Sequence, residues 1–203
     1  VLSFLFARYL HLQTERRNWQ DDAEGHLRTL QDGFQRPAEV AHAVPPLLGS
    51  HDGFDEATFN RFAAPLVQRH TGIAYIEWAP SVSDAERKAF EVEVGKSKPG
   101  FCISEPKGSA MVPAPTRSHY FPLLYTYPMD NIATGLDVIF EPVREATARR
   151  IAESRAPGVS GKFRLVEDAE GVFSIALYSP VFRPQGDLRG FLVQLYRLRP
   201  TVE

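Results

Sequence analysis

The sequence lacks most of the features that would assign it a function directly. Its 203 residues contain one cysteine, Cys102, so no internal disulfide can form and a disulfide-rich secreted scaffold is excluded. The net charge is −2 and no block of Lys or Arg occurs, so the sequence shows no basic patch of the kind that binds nucleic acid. The six histidines are scattered without the spacing of a metal site. These absences leave an ordinary globular protein with no predicted metal or cofactor.

Catalytic motifs are also missing. The sequence contains no Gly-x-Ser-x-Gly elbow, phosphate-binding loop or dinucleotide fingerprint. Cys102 has no neighbouring base in the sequence, which favours an inert thiol over a nucleophile. The sequence therefore predicts that this chain is not an enzyme.

No stretch reaches the roughly 18 consecutive apolar residues that a membrane helix needs. The first seven residues are apolar apart from Ser3, and Arg8 and Tyr9 follow them. This order is typical of the interfacial end of a membrane helix. The alternative is an ordinary amphipathic helix start.

A long helix is predicted for the N-terminal part, because residues 2–35 contain no proline and Leu27, Leu30 and Phe34 recur at helical spacing. A helix of this length is typical of a stalk or a dimer seam. We therefore assign residues 1–50 to a membrane-proximal stalk that pairs with a second copy.

The rest of the chain predicts an α+β fold with two stacked antiparallel sheets. Asp55 and the capping-box pair Ser83 and Glu86 begin two helices, and Pro142 begins a third. The second helix is expected to bury Phe90 and Val94. Strands are predicted at residues 73–79, 101–104, 119–127, 162–167, 172–182 and 190–197, with a loop at 105–118 because of its three prolines.

Together these stretches resemble the CHASE domain, the extracytoplasmic sensor of membrane histidine kinases, nucleotide cyclases and cytokinin receptors. The resemblance rests on motifs that occur in the same order: 73–80 (IAYIEWAP), the capped helix with Glu86 and Phe90, 120–122 (YFP), 135–137 (GLD), 163–165 (FRL), 179–182 (SPVF) and 190–197 (GFLVQLYR).

This resemblance implies a stalk helix followed by two PAS-like antiparallel-sheet subdomains within residues 51–203. The part that is distal to the membrane (about 73–180) would bind the ligand, and the proximal part would be completed by the C-terminal strands. It also implies a periplasmic location on the inner membrane, a homodimer and a histidine kinase or cyclase as output.

The resemblance further implies a ligand site. Some family members bind cytokinins, which are N6-substituted adenines. In these members an aspartate at the position of Asp137 binds the adenine ring. A backbone group at Val159 would pair with the same ring. The remaining lining residues would be Tyr120, Phe163, Leu165 and Tyr178.

The residues themselves support a ligand pocket but leave alternatives open. Asp137 is an isolated acid in the apolar run 136–140, so it needs a partner, which is either a ligand N–H or else backbone amides or Arg144. The aromatic and aliphatic lining residues fit plain core equally well. Val193 and Gln194 stand where the plant receptors carry small glycines, which indicates a smaller or differently shaped pocket. The alternative function is a dimerisation or interaction module without a small ligand.

Overall fold

The computed structural model of the chain describes residues 55–70, 72–108, 110–129, 133–163 and 173–198. The chain divides into two units, 1–40 and 41–203, and all of the described residues belong to the second unit. The predicted stalk, with Leu27, Leu30 and Phe34, lies outside the described residues, and so does Leu165.

Three helices begin at the residues that their capping signals indicate. Helix α1 spans Glu56–Arg69, and the Asp55 carboxylate accepts a hydrogen bond from Thr58 N at 2.8 Å. Helix α2 spans Asp84–Gly95 behind the Ser83 and Glu86 capping box, and α3 spans Pro142–Ser154 with its proline in the first turn. The prediction that α2 buries Phe90 and Val94 holds only in part, because Phe90 packs against a core cluster but both residues are half-buried and no residue of the helix is fully buried.

Nine strands form one large and two small antiparallel sheets in the described part of the chain. They are β1 (Ile73–Pro80), β2 (Val82–Ser83), β3 (Ser104–Lys107), β4 (Ala110–Pro113), β5 (His119–Tyr120), β6 (Tyr125–Tyr127), β7 (Gly158–Val159), β8 (Phe173–Phe182) and β9 (Leu188–Leu198). The large sheet has the order β6-β1-β9-β8-β7, while β2 pairs with β5 and β3 with β4. The predicted α+β class with antiparallel pairing is confirmed.

Three strand predictions need correction. The segment 105–118 was expected to be a loop, but β3 and β4 form a hairpin there, with Pro106 opposite Met111. The expected strand 101–104 contributes only its last residue, and the expected strand 119–127 divides into β5 and β6. The hairpin tolerates its prolines because it is a two-stranded sheet, in which each strand has a free edge that needs no N–H donor.

The two faces of the large sheet are covered by different elements. On one face Phe59 of α1 contacts the ring of Tyr125 at a centroid distance of 5.8 Å. On the other face Ala148 and Ile151 of α3 pack with Tyr178 and Phe191 in the main core cluster. We call this second face the inner face, since it is covered by α3 and by the segment 136–139.

Candidate functional site

The inner face of the large sheet carries a buried carboxylate. Glu77 of β1 pairs with Val193 of β9, and Val193 pairs with Tyr178 of β8. Residues directly opposite each other in antiparallel strands point to the same face. Val193 and Tyr178 both belong to the core cluster beneath α3. Glu77, which is only 3% exposed, therefore points into the same interior.

Helix α3 contributes a buried guanidinium to this interior. Arg144 lies in the first turn of the helix and is 6% exposed. Its guanidinium carbon is 4.0 Å from the ring centroid of Phe163 and 5.5 Å from that of Phe140. Its Nε is buried and has no hydrogen-bond partner. Aromatic rings attract a cation, but they do not accept the hydrogen bond that a buried N–H requires.

Three hydroxyl groups on β8 lack partners as well: that of Ser179, on the opposite face of the sheet, and those of Ser174 and Tyr178, on the inner face. The hydroxyls of Tyr178 and Ser174 are buried without a hydrogen bond, and these residues point to the same face because strand side chains alternate. Burial raises the pKa of Tyr178, and the nearby Arg144 opposes this rise. The tyrosine is therefore a neutral hydrogen-bond donor at physiological pH. We call Glu77, Arg144, Ser174 and Tyr178 the buried polar cluster.

Asp137 lies in a separate network and its carboxylate is fully buried. Oδ1 accepts hydrogen bonds from Phe121 N at 2.9 Å and, more weakly, from Ile139 N at 3.4 Å. Oδ2 accepts one from Arg117 Nη1 at 3.0 Å, and Arg117 Nη2 donates to Glu105 at 2.6 Å. Burial raises the pKa of the Asp137 carboxyl, whereas the Phe121 amide and Arg117 lower it.

The geometry differs from the cavity that was expected around Asp137. Its carboxylate is bonded to backbone amides, as in one of the alternatives considered above, but the cation is Arg117 rather than Arg144. The physical reason is that the loop before β5 places a guanidinium within hydrogen-bond distance of the buried acid.

The other predicted lining residues are not brought together around Asp137. Tyr120 packs in a second core cluster with Val82, Ile103 and Ala114. Tyr178 belongs to the main cluster, and Phe163 packs against that cluster. Val159 is 40% exposed on the short strand β7, which lies at the edge of the large sheet. The ligand-binding roles of these residues stay predictions.

A groove of about 630 Å³ lies behind the Asp137 network. It runs between α3, the start of α2 and the β8–β9 turn, and its walls carry both signs of charge. Arg117, Phe121 and Ile139, which bond the Asp137 carboxylate, line the groove, whereas none of the five predicted site residues that the structure describes does. The other charged or titratable lining residues are Glu86, His119, Glu145, Arg149, Arg183 and Asp187.

Neither a metal centre nor a nucleophile is assembled by the described residues. Within the ranges given above, no group of three or more His, Cys, Asp or Glu side chains could hold a metal ion. Burial, with a smaller effect of Glu91, raises the pKa of the Cys102 thiol. A neutral thiol is a poor nucleophile.

The sequence analysis did not single out Glu77, and it considered Arg144 only as a partner of Asp137. Each had a visible signal. Glu77 is the only charged residue in the apolar stretch 73–80, as Asp137 is in its own run. Arg144 occupies the first turn of a helix, where a positive charge is unfavourable.

Comparison with known families identifies the chain. Residues 52–203 match the family model of the CHASE domain. The chain belongs to the CHASE domain family. CHASE domains are extracytoplasmic sensor domains, so this chain is a sensor domain. In the described part of the CHASE domain, no helix combines the length and the apolarity needed to cross a membrane.

Similarity to individual proteins is low. No curated protein matches the sequence. Among solved structures, the chain is similar to the ligand-binding domain of the amino-acid chemoreceptor PctC from Pseudomonas aeruginosa PAO1, solved in complex with GABA. The identity is 16% and the TM-score 0.47, and the alignment covers 84% of this chain and 56% of that chain. This CHASE domain thus spans little more than half the length of that structure.

Proposed function

We propose that this CHASE domain is the small-molecule-sensing part of a transmembrane receptor and that its ligand binds at the buried polar cluster. The observation that carries the proposal is the set of buried polar atoms without partners on the inner face: Arg144 Nε and the hydroxyls of Ser174 and Tyr178. Ligand sites combine mostly apolar walls with a few polar groups that fix the orientation of the ligand.

The energetics favour an external partner for these atoms. Leaving a buried donor or acceptor unsatisfied costs about 1–3 kcal/mol, and more for a charged group. Two such groups, the hydroxyls of Ser174 and Tyr178, lie on the inner face of the sheet, and the third, Arg144 Nε, lies on the helix that covers this face. A ligand that bonds Arg144 and Tyr178 recovers this free energy, so ligand binding and stabilisation of the fold are coupled.

An adenine-type ligand, which the family includes, would use Asp137 instead. Its N–H edge would have to replace Arg117, which bonds Oδ2 of that carboxylate at 3.0 Å. The Arg117 side chain is 23% exposed and lines the groove, so solvent can replace Asp137 as its partner. This ligand predicts that Asp137→Asn abolishes binding, whereas a ligand at the buried polar cluster predicts loss through Tyr178→Phe.

Signalling would follow the family architecture. In this proposal residues 1–50 form the stalk of a homodimer, residues 73–180 form the distal PAS-like part, and the C-terminal strands complete the proximal part. The receptor is tethered to the inner membrane and faces the periplasm, and its output is a histidine kinase or a cyclase. A ligand shifts such a receptor only through a difference in affinity between two states.

A thermal-shift screen of the 203-residue chain against adenines and small metabolites tests the proposal. We expect at least one compound to raise the melting temperature, since a ligand that binds the native state stabilises it. Tyr178→Phe should reduce this shift. The control Tyr127→Phe should not, because Tyr127 pairs with Ile76, which neighbours Glu77 on β1 and so points to the opposite face of the sheet.

The alternative is a dimerisation module without a ligand. It predicts that no compound shifts the melting temperature and that the only concentration-dependent property is self-association, which sedimentation measures. A complete screen without any shift, together with self-association, would contradict the sensor proposal.

A further inference from the structure

The first turn of α3 has acidic residues near it but no side-chain capping hydrogen bond. The residue at the N-cap is Glu141, but its side chain makes no capping hydrogen bond. Glu145 is the acidic residue of the first turn, and it is exposed. A helix of 13 residues carries a partial positive charge at this end, and its free N–H groups point outward.

Arg144 adds a full positive charge to the same turn. Cations are unfavourable at helix N-termini, and burying a guanidinium is unfavourable as well. Its Nε has no hydrogen-bond partner, and the rings of Phe140 and Phe163 and the side chain of Tyr178 lie beside the guanidinium. The N-terminal end of α3 and the Arg144 guanidinium would therefore both attract a bound anion. Helix N-termini are common binding sites for such anions.

We infer that the ligand carries a carboxylate, which Arg144 and the Tyr178 hydroxyl bind at the N-terminal end of α3. This inference rests on the proposed function and names the chemical class of its ligand. Arginine is suited to carboxylates because its planar guanidinium donates two parallel hydrogen bonds. Tyr178 supplies a neutral donor whose hydroxyl is otherwise unsatisfied.

The surroundings restrict the rest of the ligand. Phe140 and Phe163 flank the guanidinium, so the part next to the carboxylate meets aromatic surface. Glu77 lies on the same sheet face and is 3% exposed, so a second negative charge near the sheet would be repelled. The class that fits is a monocarboxylate with an apolar or aromatic body.

Glu77 also offers a rival explanation, in which it balances the charge of Arg144 within the protein. The two explanations predict opposite effects on the ligand-free chain. If Arg144 serves as a structural ion-pair partner, Arg144→Gln lowers the melting temperature strongly, because a buried carboxylate is left behind. If Arg144 awaits a ligand, the substitution leaves the melting temperature unchanged or raises it.

The decisive experiment compares carboxylates with their neutral amides on the 203-residue chain. Benzoate, phenylacetate, butyrate and indole-3-acetate are each paired with the corresponding carboxamide in thermal-shift and calorimetric titrations. We expect at least one acid, and not its amide, to raise the melting temperature. Arg144→Gln should weaken this binding on the order of ten- to a hundredfold, as expected for a hydrogen bond to a charged group. The control Arg69→Gln replaces an exposed arginine of α1, which lies on the other face of the sheet, and should leave the binding unchanged.

Three results would overturn the inference. One is that no acid shifts the melting temperature, another is that acid and amide act equally, and the third is that Arg144→Gln binds as tightly as the native chain. If Arg144→Gln does not fold, Tyr178→Phe takes its place and should still weaken binding of the acid. A neutral or cationic compound that binds through Tyr178 but not through Arg144 would overturn the carboxylate while leaving the sensor function intact.

Discussion

Arg117 Nη1 donates a hydrogen bond of 3.0 Å to Oδ2 of Asp137, a carboxylate without solvent exposure. The same guanidinium donates to Glu105 of β3, so one side chain joins the β3–β4 hairpin to the segment that follows β6. The pair therefore holds together two parts of the chain that share no strand pairing with each other beyond an isolated bridge between Ser104 and Leu136.

Removing the cation of this pair should destabilise the protein. Arg117→Gln leaves a buried carboxylate without its counter-charge, and breaking such a pair costs about 3 kcal/mol or more. Urea unfolding measures this loss. Arg149→Gln, at an exposed position of α3, is the matched control and should change the free energy of unfolding by less than about 0.5 kcal/mol. Equal effects of the two substitutions would show that the pair contributes nothing.

Tyr120 should act on stability rather than on ligand binding. Its hydroxyl donates to Asp84 Oδ1 at 2.7 Å and accepts from Arg117 N at 3.0 Å. Tyr120→Phe leaves these partners unsatisfied and should lower the free energy of unfolding by about 1–3 kcal/mol. Compounds bound at the buried polar cluster should keep their affinity in calorimetric titration. If Tyr120→Phe lowered the affinity for the ligand but not the free energy of unfolding, Tyr120 would instead be a ligand-binding residue.

The capping box of α2 should give a pH-dependent contribution to stability. The hydroxyl and the amide of Ser83 both bond the Glu86 carboxylate and hold its pKa below the ordinary value of 4.5. A depressed pKa stabilises the folded state above that value, and the stabilisation is lost as the pH falls through the folded pKa. Ser83→Ala should cost about 1 kcal/mol at neutral pH. In urea unfolding at a series of pH values, this difference should shrink below pH 4.5. A constant difference would contradict the assignment to Glu86.

Gly190 should not tolerate a side chain. Its φ is +155°, and a Cβ there would lie 2.4 Å from the carbonyl oxygen of Ala79 and 2.7 Å from the Cα of Pro80. Both atoms are backbone of the paired strand β1, so they cannot move aside cheaply. Gly190→Ala should cost more than about 2 kcal/mol in urea unfolding. Gly95→Ala, at the end of α2 where a Cβ meets nothing within 4 Å, is the control and should be neutral or slightly stabilising.

Local signals in the sequence predicted the helices well. Asp55, the Ser83 and Glu86 pair, and Pro142 each act within one turn of the residues that they organise, so their effect is visible without tertiary structure. The β3–β4 hairpin was missed for the opposite reason. Its prolines are typical of loops, and nothing nearby shows that the two strands form a sheet of their own.

The candidate site was harder to predict because it depends on distant pairs. Arg117 lies 20 residues before Asp137, so the sequence alone does not show that the two are partners. Arg144 was considered only as a counter-ion for Asp137. Its actual environment, between Phe140 and Phe163 and beneath the inner face, follows from the packing of α3 on the sheet. The family could be predicted because its short motifs occur in a characteristic order along the sequence. This order is visible without any knowledge of the tertiary contacts.

The position of β9 between β1 and β8 has a consequence for folding. Ile73 pairs with Tyr196, so the first strand of the large sheet, which pairs with β6 on one edge, gains its neighbour on the other edge only after more than a hundred intervening residues have been synthesised. Such a sheet has high contact order, and the loop-closure entropy must be overcome before the central strand pairs contribute. During synthesis β1 therefore remains an open edge that can pair with other chains, and a chain released before β9 would be prone to aggregation.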